Sequence, residues 1–222
     1  MLIKPRKRVI IPSESKTNTQ LNPKSILQKI AAMQESKKVS IPASAQGNFD
    51  DFSMLTISEE DKKELIGLRQ LSETTGYEHA VIKLSNGTIN RLTSCLSAKV
   101  EITISSDDGS GIQIFHSHTN VTPLSGGDFR FLCNEQVDAV GNIAINGDTC
   151  ICRIGNGIRP TEDEFNEDKK RIAKEVDSDM LEMAIEHNWT PEETTYMAIK
   201  EQAFRIARHY EWELEGGRLE NE

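Results

Sequence analysis

The chain has 222 residues, 36% of them hydrophobic and 5% aromatic, enough for one medium domain with appendages or two small ones, with part of it expected outside any packed core. The net charge of -9 is uneven: residues 1–50 carry nine basic and three acidic side chains, which leaves -15 on the remainder. Such an acidic body argues against nucleic-acid binding except through the basic tail, and no apolar run approaches the roughly 18–20 residues of a membrane span.

The N-terminal MLIKPRKRVIIPSESK is basic, and its apolar Val9-Ile10-Ile11 is too short for the core of a secretory signal. Cys95, Cys133, Cys150 and Cys152 form no C-x-x-C pair, which fits reduced thiols in a cytoplasmic protein. Residues 1–53 are rich in Ser, Gln, Asn, Lys and Pro and read as a flexible basic tail. One short helix is expected at 23–35, where Ile26, Ile30 and Met33 share a face, and this tail is a candidate docking segment for a protein partner.

Residues 54–158 read as the folded α/β domain. Ser58 with Glu59-Glu60-Asp61 starts a helix whose stripe is Leu65, Ile66, Leu68 and Leu71, and Gly76 stops it. Two extended runs, 79–84 and 88–94, flank Asn86-Gly87 as in a hairpin. A strand follows at 99–105, a turn at 106–111, and a strand at 112–118 that ends in two histidines. A helix is expected from about Ser125 to Glu135, then a second hairpin over 140–146 and the 151 region. Residues 159–222 read as an acidic helical extension: one helix capped by Thr161, and another opened by Thr190-Pro191-Glu192-Glu193 and running to Leu214, with Met197, Phe204, Ile206 and Trp212 as packing residues. These helices are a second candidate surface for a protein partner.

The chemistry concentrates in His116-Ser117-His118-Thr119-Asn120-Val121-Thr122-Pro123-Leu124-Ser125-Gly126-Gly127-Asp128. Side chains two apart on a strand point to one face, so His116 and His118 can offer two imidazole nitrogens to one ion at about 2.0–2.1 Å. Asp128, ten residues on, can return a carboxylate to the strand end. Two histidines and one carboxylate leave a fourth tetrahedral position for water, as catalytic zinc needs. Pro123 and Gly126-Gly127 fit a tight strand-to-helix crossing. His79, His187 and His209 read as strand or surface residues, and Asp107-Asp108-Gly109 as a turn lacking the twelve-residue calcium pattern.

H-x-H, a short loop and S-x-x-D resembles the JAMM motif of the JAB/MPN metalloprotease superfamily, over about residues 54–158. Gly76-Tyr77-Glu78-His79-Ala80-Val81-Ile82 is similar to the Glu-bearing first strand of the bacterial and phage-associated branch. The resemblance implies a JAB/MPN-like sheet with flanking helices. It implies His116, His118 and Asp128 as Zn2+ ligands, Glu78 as general base and Ser125 as a hydrogen-bond partner near the bound water. The reaction it implies is hydrolysis of a peptide or isopeptide bond in a protein or peptide substrate. Two features depart from the family pattern: six residues, not seven, separate His118 from Ser125, and Thr119 replaces the usual Pro. Glu101, on an alternating V-E-I-T-I run, is the competing base. A PHP-type phosphoesterase would need more His and Asp ligands than the downstream sequence holds. The remaining alternative is a non-catalytic JAB/MPN-like interaction module in a phage or toxin-related assembly.

Overall fold

The computed structural model describes residues 7–10, 53–93 and 101–219. The helix expected at 23–35 and Cys95 lie outside the described residues. Within the segment read as a tail, Lys7–Ile10 (β1) forms a strand, paired antiparallel with Glu101–Ile104 (β5) in a separate two-stranded sheet.

The main sheet is mixed and seven-stranded. Its strands are Ser53–Met54 (β2), His79–Lys83 (β3), Ile89–Thr93 (β4), Ile112–His118 (β6), Val137–Ala144 (β7), Asp148–Arg153 (β8) and Glu213–Arg218 (β9). Their order across the sheet is β2-β9-β8-β7-β6-β3-β4. The central pair β6 and β7 runs parallel, joined by the crossover that carries Ser125 and Asp128, while β3 and β8 flank it antiparallel. Both faces of the sheet are covered. On one, helix Glu59–Thr75 (α1) sets Leu65 and Leu68 against Val81, Phe115, Ile143 and Ile151. On the other, helices Glu162–His187 (α2) and Pro191–His209 (α3) cover Ile112, Ile114, Val140, Cys150 and Cys152. Two covered faces explain why β6 to β8 are buried in nearly every position.

The helices start and stop where the sequence predicts. Ser58 Oγ accepts from the Asp61 N–H, and Gly76 closes α1 at φ +70°, a left-handed conformation suited to glycine. Thr161 with Glu164, and Thr190 with Glu193, form reciprocal capping boxes. Leu71 departs from expectation: it is exposed, while Leu65 and Leu68 are buried against the sheet and Ile66 packs half-buried beside them.

Two expected helices are shorter than predicted. The segment 125–135 forms only a 3-10 helix, Asp128–Cys133, entered through Gly126-Gly127 and tied at its end by Arg159. One Arg159 nitrogen donates to the carbonyls of Leu132, Asn134 and Val137 at 2.7, 2.5 and 2.7 Å. The last helix ends at His209, not Leu214. Glu211 turns the chain at φ +58°, and Glu213–Arg218 becomes β9 on the edge of β8. E-L-E-G-G-R has poor strand propensity; pairing with β8 supplies what the local sequence lacks. Residues 159–219 are therefore built into the sheet and its core, where a helical extension was expected over 159–222. Trp212 packs as predicted, but from the turn: its ring stacks near Phe129, Phe165 and Tyr210, and its N–H donates to the Ile158 carbonyl at 2.7 Å.

Among the described residues, no helix is long and apolar enough to cross a membrane. The described cysteines, Cys133, Cys150 and Cys152, are free thiols.

Because Trp212 joins β9 to the ring beside Asp128, Trp212→Ala is expected to cost about 3–5 kcal/mol. Urea unfolding checks this; a loss under 1 kcal/mol would mean the C-terminal segment does not support the core.

Candidate metal centre

β6 delivers the two histidines. Its alternation sends Phe115 to the α1 face and Ile112 and Ile114 to the α2–α3 face, so His116 and His118 continue the second series. Ser117, on the opposite face, accepts from the His79 N–H at 2.9 Å and ties β3 to β6. The register pairs Ala80 with His116. Glu78 directly precedes β3, close enough for its charge to act on His116. On the other side, β7 pairs Asn142 with His116.

The crossover returns Asp128. The Ser125 N–H donates to Asp128 Oδ2 at 2.7 Å, the Asp128 N–H donates to the Ser125 carbonyl at 3.0 Å, and Ser125 Oγ accepts from the Gly127 N–H at 3.2 Å. The S-x-x-D spacing is thus a closed turn in which the serine backbone fixes one carboxylate oxygen and turns the other to His116. The absence of a side chain at Gly126 lets α2 approach closely. A Cβ there would stand 2.7 Å from Lys169 Cδ of α2, with Gln202 of α3 beyond it.

The three groups converge. His116 Nε2 lies 2.9 Å from His118 Nε2 and 3.2 Å from Asp128 Oδ1, and His118 Nε2 lies 3.7 Å from Asp128 Oδ2. Tetrahedral zinc with bonds of about 2.0–2.1 Å holds its ligand atoms about 3.3 Å apart, and the three distances straddle that value. Two imidazoles and a carboxylate are also a donor set that zinc favours. Among the described residues, these three form the one group of His, Cys, Asp or Glu side chains close enough to hold a metal ion.

Electrostatics agree with the geometry. Burial alone would lower the His116 pKa, but the Asp128 carboxylate, with Glu78 further off, raises it above the usual value. Burial and the neighbouring His116 push His118 down to about 4. The two imidazoles hold the Asp128 carboxyl well below the usual range despite its burial. A buried cluster that keeps a carboxylate charged and one imidazole neutral suits a cation. His116, His118, Asp128 and Glu78 are all buried, His116 and Asp128 most completely.

The structure brings His116, His118 and Asp128 together, sets Ser125 in the turn beside Asp128, and places Glu78 close enough for its charge to act on His116. Glu101, the rival base, belongs to the separate β1–β5 sheet. His79 is buried on the other face, against Thr75 Oγ1 at 2.7 Å, and His187 and His209 are exposed, as predicted. Sequence reasoning missed Thr122, Asn142, Lys169 and Gln202. A polar residue in the strand V-G-N-I-A, buried on both faces, was the available signal for Asn142.

No protein-family model, curated protein or solved structure matches the chain.

Asp128→Asn keeps the planar shape but removes the charge that raises His116. In metal-free protein the His116 pKa is then expected to fall, because of the influences that oppose burial only the smaller ones, Glu78 and the Gly141 backbone, remain. An NMR titration reads this directly; an unchanged His116 titration would separate the two groups.

Proposed function

We propose that this chain is a zinc-dependent peptidase or isopeptidase of the JAB/MPN type, acting in a reducing compartment. The observation that carries the reading is the convergence of His116, His118 and Asp128, with the charge of Glu78 acting on His116 and the S-x-x-D turn closed around the carboxylate. Zinc at such a centre lowers the pKa of a bound water to about 7 and polarises a carbonyl.

The chain's own residues supply the rest. The imidazoles of His116 and His118 would hold the ion through Nε2, and Asp128 would offset one unit of its charge. Glu78, whose charge acts on His116, is the general base. Its carboxylate takes the proton from the attacking water and delivers it to the leaving amine. Ser125 Oγ accepts from Gly127, so its own proton remains to donate towards the developing oxyanion. Burial of the ligands keeps the local dielectric low, which strengthens both effects. The loop between His118 and Ser125, one residue shorter than the family pattern, is compatible with this reading because Ser125 and Asp128 move as one hydrogen-bonded turn.

Digestion of a peptide library by the zinc-loaded protein tests the activity. Glu78→Gln is expected to retain zinc and lower turnover by about 10²–10⁴-fold, and Ser125→Ala by up to about 10²–10³-fold. Full activity in Glu78→Gln would remove the general base. Stoichiometric zinc with no cleavage of any peptide or isopeptide would favour the non-catalytic interaction module.

A further inference from the structure

The ring nitrogen of His118 that faces away from the centre sits in a set of partners that no motif names. His118 Nδ1 lies 2.9 Å from the Thr122 carbonyl and 3.1 Å from Thr122 Oγ1. Thr122 Oγ1 in turn donates its proton to Asn120 Oδ1 at 2.5 Å, and the Thr122 N–H donates to the same oxygen at 3.1 Å. With its proton committed to Asn120, the threonine hydroxyl presents only lone pairs to His118. Asn142, fully buried on β7, donates from Nδ2 to the Thr122 carbonyl at 3.0 Å and stands 3.0 Å from His118 Nδ1.

The contacts favour one tautomer. If His118 Nδ1 lacked a proton, it could accept from Asn142 Nδ2, but its lone pair would face both the Thr122 carbonyl and a hydroxyl oxygen with no proton to give. If it carries one, the His118 N–H and the Asn142 N–H converge on the two lone pairs of a single carbonyl. The proton then sits on Nδ1, and the Nε2 lone pair points at His116 and Asp128.

We infer that Thr122, locked by Asn120 and Asn142, is the positioning device of the centre: it selects the Nδ1–H tautomer of His118 before any metal arrives. The inference rests on the metal-centre reading. It assigns a role to three residues outside the ligand set, and it accounts for an asparagine buried in an apolar strand. Partners on the distal nitrogen of a metal-binding histidine fix ring orientation and tautomer, and their loss typically weakens metal binding about 10–100-fold.

The test has two readouts. In metal-free wild-type protein at neutral pH, ¹⁵N chemical shifts of His118 should report the Nδ1–H tautomer. Zinc titration should then show Asn142→Leu and Asn120→Ala binding about 10–100-fold and several-fold more weakly, with His118 tautomer purity lost. Thr122→Ser, which keeps carbonyl and hydroxyl, should retain wild-type affinity and tautomer. Asn120 is exposed, so Asn120→Ala leaves the core intact if Asn142→Leu fails to fold. A wild-type His118 protonated on Nε2, or variants with unchanged tautomer and affinity, would overturn the inference. Wild-type protein that binds no zinc but shows the Nδ1–H tautomer, lost in Asn120→Ala, would remove the metal reading and leave the positioning device standing.

Discussion

The two-residue period of β6 is the constraint on which the site depends. The strand is clamped between β3 and β7 and buried on both faces, so a slip of one residue would drive Phe115 into the α2–α3 core and both histidines onto α1. The same packing that fixes the register therefore fixes the imidazoles on one face. The crossover to the parallel strand β7 must leave β6 just after His118 and return across that face, which is where Asp128 appears. Two ligands come from strand geometry and the third from the connection that a parallel pair requires.

The segment after residue 158 completes this arrangement. α2 and α3 close the face that carries the histidines, and the lack of a side chain at Gly126 lets Lys169 lie against the turn that holds Asp128. Arg159 ties three carbonyls at the end of the 3-10 helix, and Trp212 stacks near Phe129, the residue after Asp128. Lys169, half-buried there, has its pKa lowered by burial and then by Arg130. The ligands thus sit in a region braced from three directions, and a rigid surrounding is what a preorganised centre needs.

Much of this was legible in the sequence. The caps at Ser58, Gly76, Thr161 and Thr190, the Asn86-Gly87 hairpin and the seven residues of β6 follow from local chemistry, and local chemistry placed them correctly. The ligand set was legible because strand parity and one loop length suffice to bring His116, His118 and Asp128 together. What escaped was decided by distant partners. β9 is a strand because β8 offers it an edge, and Asp128–Cys133 is a short 3-10 helix because Arg159 ends it. Asn142 matters only because β7 lies beside His116, and nothing in its neighbours along the chain says so. The family resemblance rests on five residues and their order; the geometry supports the metal centre more directly than it supports a particular reaction.

X-ray absorption at the zinc edge of the zinc-loaded protein tests the central claim most directly. The account predicts one zinc per chain with four nitrogen or oxygen ligands at about 2.0–2.1 Å, including the multiple-scattering pattern of two imidazoles. Cys150 is the informative neighbour. It lies next to Asn142 across the β7–β8 pair but is not one of the three converging groups, so it should contribute no sulfur. A zinc–sulfur distance near 2.3 Å, or a shell without imidazole, would contradict the account.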